Sequence, residues 1–318
     1  MEHDENAPLR TQVAPIVGLP FLVRARQLAA GSSSGTHRSL RKGSGIEFAG
    51  HRNYYPGDDL RHLDQHALLR HGKLLVREFY TETDRSVHLI VDVSDSMAYA
   101  GDSGPTKASH ALLLAAALCF LAKKTGDHLG LTLLGNDADG SSFAPPRSGR
   151  AAFERTLVLL ERAHQRLGHA LAPPRGTETR ERPTTSELWA STLKQLALRL
   201  PRGTVIFVLS DFLDMTPSVR RACVYLATKG RSVRAAQVLS RNEAEFPFTG
   251  SFRLVDPETG YSVETEAKRA RNDYLEALEQ LTEPLARDLG GLGGLFLRVL
   301  TSDPLEVPLA QLAQGSRP

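Results

Sequence analysis

Cysteine is nearly absent from this chain: two in 318 residues, Cys119 and Cys223, each inside an apolar helical pattern. Neither has a partner at metal-ligand spacing, which excludes a disulfide scaffold and a thiolate metal centre and leaves buried free thiols of a reducing compartment. Long hydrophobic runs are missing as well. The longest, Ala111–Ala122, is too short to cross a bilayer and ends at Lys123 and Lys124, so it reads as a core helix. The opening MEHDENAPLR is acidic and polar and lacks the pattern of a secretory signal. A cytoplasmic protein without membrane insertion is the expectation. Charge of one sign is not in excess either: 39 basic against 36 acidic residues, with only 6% aromatics. A nucleic-acid binder concentrates basic residues into stripes interleaved with aromatics, so nucleic acid is not the expected ligand. A phosphate loop is lacking too, because Gly43-x-Gly45 has no following Lys-Ser/Thr and no buried strand running into it. No ATPase activity is expected of the chain itself.

What is present begins with Ser86–Met97, SVHLIVDVSDSM. Its continuous apolar run reads as a central strand of a parallel sheet, covered on both faces. The strand's C-terminal end carries Asp92, Ser94 and Ser96 onto a tight turn, at the edge where open α/β sheets build ligand sites. One carboxylate and two hydroxyls form a compact set of hard oxygen donors, which suits Mg²⁺ and, by the same chemistry, Mn²⁺. A second strand end, Thr204–Phe212, places Asp211 comparably.

From Ser86 onward strand and helix patterns alternate, which predicts an α/β fold with a doubly wound, mostly parallel, Rossmann-like sheet. Strands are expected near 86–92, 129–134, 204–209, 232–239 and 295–299. Helices are expected near 105–124, 149–168, 186–199, 217–229 and 267–289, with a shorter one over Phe21–Ala30. Leu74–Tyr80 alternates as a strand at an edge of the sheet. A further edge strand within Gly135–Arg147 is expected to stop at Pro145-Pro146. Residues 170–185 read as a long polar loop, and the turn chemistry of Asp256–Gly260 predicts a β-hairpin insertion between Phe252–Val255 and Tyr261–Glu264. The resulting division is a tail with a short helix over 1–35, a leader over 36–84 packing on the core, the α/β domain with its hairpin near 250–265 over 85–300, and a C-terminal tail over 301–318.

Asp-x-Ser-x-Ser at a strand end, a later threonine loop and a second strand-end Asp are the parts of a metal-ion-dependent adhesion site (MIDAS), and the chain resembles the von Willebrand factor A (vWA) superfamily. Gly43-Ser44-Gly45-Ile46-Glu47-Phe48, then Arg52-x-Tyr54 (or Tyr55), Gly57-Asp58-Asp59-x-Arg61-x-Leu63-Asp64, the basic strand Lys73–Glu78 and the Asp256–Gly260 hairpin are similar to the bacterial "domain of unknown function 58" (DUF58) branch. That resemblance implies metal ligands at Asp92, Ser94 and Ser96, with Asp211 reaching the ion through water. It also implies a loop threonine, for which Thr185 stands at the expected place, Thr184 is a close alternative and Thr177 a more distant one. It implies a non-catalytic interaction module that docks a partner's carboxylate on Mg²⁺, and a MoxR-type AAA+ ATPase as partner in protein assembly or maturation. Two departures stand out: Gln65 follows Asp64 where the family usually has Trp, and the N-terminal membrane helices of many members have no counterpart here.

Other readings of the same residues remain. Asp92, Ser94 and Ser96 could serve only as a capping cluster for the next helix, Asp211 as a turn residue, and Asp214 as the cap of the helix near Pro217. Asp95 is expected to face solvent. His51, His62, His66 and His71 invite a zinc site, but only His62 and His66 have suitable spacing and no third ligand is evident. Arg38, Arg41, Lys42, Arg52 and Arg61 could contact phosphate, yet Glu47, Asp58, Asp59 and Asp64 are interleaved with them. A Mg²⁺-dependent phosphoryl hydrolase would need an acid two residues after its nucleophilic Asp, where this chain has Ser94.

Overall fold

The computed structural model describes residues 21–32, 42–43, 47–55, 63–72, 74–80, 85–101, 104–135, 142–167, 185–255 and 262–314. The chain divides into two compact units, Ser33–Asp84 and the remainder.

In the smaller unit, strands β1 (Lys42–Gly43), β2 (Glu47–Asn53) and β3 (Leu75–Tyr80) form an antiparallel sheet in the order β1-β3-β2. Helix α2 (Gln65–His71) precedes β3 and is capped by Asp64, whose Oδ1 accepts from the amides of His66 and Ala67. His51 Nε2 donates to the other oxygen at 2.6 Å. The Ala67 amide and His51 together hold the Asp64 carboxyl low, at about 2. His51 is thus engaged locally, whereas His62 lies outside the described residues. The basic leader residues Arg38, Arg41 and Arg61 are also outside them. The expectation that Leu74–Tyr80 forms an edge of the main sheet is corrected: β3 is the centre of this separate sheet. Alternation identifies a half-buried strand but does not say which partner it takes.

In the larger unit, α1 (Phe21–Ser32) joins the core directly. There follow β4 (Ser86–Asp92), α3 (Lys107–Thr125), β5 (His128–Leu134), β6 (Ser142–Arg147), α4 (Arg150–Leu167), α5 (Thr185–Arg199) and β7 (Val205–Ser210). The chain continues through α6 (Pro217–Leu226), β8 (Ser232–Leu239), α7 (Arg241–Glu245), the hairpin β9 (Ser251–Val255) and β10 (Ser262–Glu266), α8 (Ala267–Gly291), β11 (Leu295–Leu300) and α9 (Glu306–Ala313). Six strands form one sheet in the order β11-β8-β7-β4-β5-β6, parallel except for the last pair. The doubly wound α/β class read from the alternation is therefore the fold.

The strand period sorts side chains to the two faces. Val87, Leu89 and Val91 of β4, with Val205, Phe207 and Leu209 of β7, pack under α1, α3, α4 and α9. Ile90, Ile206 and Val208 face the cluster formed with α5, α6 and α8. Among the described helices, α3 alone has the length and apolarity to cross a bilayer, but it is a core helix, buried from Lys107 through Cys119 and at Ala122. Both cysteines are buried and free, and burial pushes their thiols far up.

Two sequence expectations are corrected in this unit. Strand β6 does not stop at Pro145-Pro146 but contains both, because it is the antiparallel edge strand and its register against β5 breaks there, between Leu129 and Leu131. The C-terminal "tail" is helical: in α9, Leu309 and Leu312 are fully buried, and the buried Arg234 donates from Nη1 to the carbonyls of Leu312 and Gln314. Pro308 within so short a run masks a helix it does not break, since a first-turn proline has no amide to lose. Leu309→Ala is expected to lower unfolding free energy by about 2–5 kcal/mol in urea titrations. A change below about 0.5 kcal/mol, the response of a surface residue, would show that α9 does not pack as described.

Candidate functional site

The sheet order places a topological switch point between β4 and β7. From β4 the chain winds outward to β5 and β6, then crosses back to lay β7 on the other side of β4 and winds the opposite way to β8 and β11. Ligand crevices of open α/β sheets form at the carboxyl ends of strands at such a point. Here those ends carry Asp92 and Asp211.

Four of the sequence-designated residues form a hydrogen-bonded chain. Asp92 Oδ1 accepts from the Ser94 amide at 2.9 Å and from Ser94 Oγ at 2.6 Å. Ser94 Oγ lies 3.1 Å from Ser96 Oγ, which donates to Asp211 Oδ2 at 2.8 Å. Thr185, at the start of α5, lines the same hollow with Trp189, Phe212, Asp214 and Met215. The hollow is narrow, with room for a single ion or water rather than a metabolite. Thr184 and Thr177 lie outside the described residues. Asp95 is exposed, as its position between the two serines implied.

The capping reading of this motif does not hold. Ser94 stands at the N-cap of a short 3₁₀ turn, Asp95–Ala98, yet its side chain makes no capping bond. Helix α3 is capped instead by Thr106, which accepts from the Ser109 amide. The expectation that Asp214 caps α6 is also corrected, because Thr216 does so, accepting from the Val219 amide. The hydroxyls of Ser94 and Ser96 are thus directed at two carboxylates rather than at a helix end.

Both carboxylates are buried, Asp92 at 3% exposure and Asp211 at 2%. Burial first, and then the neighbouring charge of Asp211, push the Asp92 pKa up to about 7 against the bonds from Ser210 and Ser94. A buried acid held under that pressure gains from a cation placed beside it. The backbone supports the geometry. Phe212 adopts φ 54°, a left-handed conformation costly for a bulky residue. Its amide donates to Ser210 Oγ at 3.0 Å and its ring is buried near Trp189 and Phe296. The Asp211 carbonyl accepts from Gln237 Nε2 at 3.1 Å, and Arg298 Nε holds the far end of that amide at 3.0 Å.

A model of the family described as "Protein of unknown function DUF58" matches residues 50–283, more than half of the chain. The chain belongs to this family. The uncharacterized protein Rv1480 of Mycobacterium tuberculosis is 29% identical over 283 residues, covering 87% of this chain and 81% of its own length. The uncharacterized protein Mb1516 of Mycobacterium bovis matches to the same extent. Among solved structures, the conserved hypothetical protein BatB from Bacteroides thetaiotaomicron is 19% identical, with a TM-score of 0.43 over 71% of this chain and 96% of that one. The SpRpn10 VWA domain is 14% identical, with a TM-score of 0.33 over 73% and 98%.

In this DUF58 protein the sequence pattern located the five candidate oxygen donors but missed what holds them. Ser210 donates to Asp92 Oδ2 at 2.5 Å. Lys107 donates to Asp211 Oδ2 at 2.8 Å and to Glu243 Oε1 at 2.6 Å and is fully buried. One signal for Lys107 was available: a lysine in the first turn of a helix opposes the helix dipole and calls for a compensating anion. Among the described residues no group of three or more His, Cys, Asp or Glu is placed to hold a metal, and His62 of the His62–His66 pair lies outside them. The donor set at the switch point is different in kind, two carboxylates with three hydroxyl residues. All-oxygen sets of that sort fit Mg²⁺ or Mn²⁺ and not Zn²⁺.

Proposed function

We propose that this DUF58 protein is a metal-dependent docking module, and that its ion sits at the β4–β7 switch point. A vWA-like DUF58 fold suggests a protein-interaction module. The finer reading assigns Ser94 and Ser96 hydroxyls and the Asp92 carboxylate to Mg²⁺ (or Mn²⁺), with Thr185 and Asp211 completing the set directly or through water. The ion would supply a Lewis-acidic position that a partner's carboxylate completes. The observation that carries this reading is that Ser94 and Ser96 span Asp92 and Asp211 while capping nothing.

The chain's own residues favour docking over turnover. Asp92 is engaged on both oxygens by Ser94 and Ser210, and position 94 offers a hydroxyl where a phosphoryl hydrolase needs an acid. The hollow is too small to enclose a substrate, so whatever meets the ion approaches from the surface. We assign the partner as a MoxR-type AAA+ ATPase, and the setting as cytoplasmic assembly or maturation of other proteins. Purified MoxR-type ATPase is expected to bind the wild-type protein in Mg²⁺ and to lose at least about tenfold in affinity toward Asp92→Asn, measured by surface plasmon resonance. The variant is the proper control because a chelator would also disarm the ATPase. Equal binding by the two proteins would overturn the docking role, and Mg²⁺-dependent release of phosphate from p-nitrophenyl phosphate, lost in Asp92→Asn, would favour the hydrolase instead.

A further inference from the structure

Lys107 is a lysine enclosed within the larger unit. It has no exposed surface, and its ammonium lies between Asp211 Oδ2 and Glu243 Oε1, with the Tyr99 ring centroid 5.9 Å away. Burial alone would drive its proton off, yet the charges of Asp211 and Glu243 reverse that and hold its pKa above the ordinary lysine value. Glu243 is itself fixed by a capping box, its Oε2 accepting from the Ser240 amide at 2.8 Å while its own amide donates to Ser240 Oγ at 3.2 Å. Lys107 therefore bridges a rigid anchor on α7 and one of the two carboxylates of the proposed ion site.

We infer that Lys107 is an internal counter-cation that sets how strongly the β4–β7 site holds its metal, an inference that rests on the metal reading above. The ammonium is held by Asp211 and Glu243, and Asp92 joins Asp211 through the Ser94 and Ser96 hydroxyls, so three carboxylates share one internal cation and leave room in the charge balance for a divalent ion. Lys107 draws on Asp211 Oδ2, the same oxygen that accepts from Ser96, and so discounts the charge that Asp211 offers an ion. It also keeps Asp211 in place when no ion is bound, since two buried carboxylates without a cation would repel each other. Glu243 acts in the opposite sense through the lysine, because the share of the ammonium it takes is withdrawn from Asp211. The result is a site that stays assembled without metal and binds the ion reversibly. Lys107 is on this account a positioning residue and not a ligand.

The test is calorimetric titration of Mg²⁺ into wild type, Lys107→Met, Glu243→Gln and the double variant, beside their melting temperatures without metal. Lys107→Met is expected to bind Mg²⁺ about tenfold tighter or more, to melt several degrees lower without metal, and to regain more than wild type when Mg²⁺ is added. Glu243→Gln is expected to bind several-fold weaker, an effect that disappears in the Lys107→Met background because it acts through the lysine. A merely structural lysine would move affinity down or not at all. Wild-type binding with an unchanged or weakened Lys107→Met would overturn this inference alone. Absence of Mg²⁺ binding from every protein would overturn the metal reading and the inference with it. If Lys107→Met does not fold, Glu243→Gln decides: weakened binding supports the inference and unchanged binding overturns it.

Discussion

Asp92→Asn is expected to abolish divalent-cation binding while leaving the protein folded. Removing an outer hydrogen-bond partner of a metal site already costs about 10–100-fold in affinity, so loss of the one carboxylate at the centre of the donor set takes the loss beyond about 100-fold. The substitution is nearly isosteric. The amide oxygen can still accept from Ser94, and the hydroxyl of Ser210 can turn to accept from the new amide nitrogen. It also removes a buried charge that Asp211 and the apolar surroundings disfavour, so the metal-free variant melts no lower than wild type near pH 8. Asp211→Asn is expected to fall within the 10–100-fold range of an outer partner, because Asp211 is shared with Lys107 and is therefore proposed to act on the ion less directly than Asp92. Calorimetry and circular dichroism on the three proteins check both halves. A wild-type titration curve from Asp92→Asn would remove Asp92 from the site.

Acid is expected to destabilise the larger unit through His88. This histidine sits on β4, fully buried, with Nε2 2.8 Å from Thr132 Oγ1, the Phe143 ring nearby and no hydrogen-bond partner on Nδ1. Burial depresses its pKa from 6.5 to about 3. The unfolded chain therefore binds a proton that the folded one refuses, and His88 contributes stability that is complete above pH 6.5 and lost as pH falls toward 3. His110, lowered to about 4 chiefly by burial, acts in the same sense. Asp92 acts oppositely, because its raised pKa makes the folded state take up a proton first. Comparison with His88→Gln isolates the one histidine, since the other groups are common to both proteins. By pH 4 the wild type is expected to have lost about 3 kcal/mol more than the variant, relative to pH 7, in urea titrations. Parallel pH profiles would show that His88 is protonated in the folded state. The packing there is already tight, as a Cβ on Gly130 would stand 2.4 Å from His88 Nδ1.

The core strands and their helices were legible because β4 and β7 are largely apolar on both faces and the intervening helices are long. Pairing was less legible. β3 shows the period of a strand but no mark of its partner, and β6 has two prolines whose tolerance depends on lying at an edge. Asp92, Ser94 and Ser96 were legible because three donors fall within five residues. Asp211 and Thr185 required knowledge of which strand and helix return to β4. Ser210, Glu243 and Gln237 were not legible, and Lys107 was so only as a first-turn lysine lacking its anion, since each acts across more than twenty residues of chain through a contact that only the folded sheet creates.

The central claim is that a divalent ion occupies the hollow between the ends of β4 and β7. A crystal structure grown in Mn²⁺, with anomalous scattering recorded at the manganese edge, tests it most directly. One anomalous peak is expected at about 2.0–2.3 Å from Ser94 Oγ, Ser96 Oγ and a carboxylate oxygen of Asp92, with Thr185, Asp211 or waters filling the remaining octahedral positions. A structure in saturating Mn²⁺ with the Ser94–Asp92 and Ser96–Asp211 bonds intact and no peak between them would contradict it.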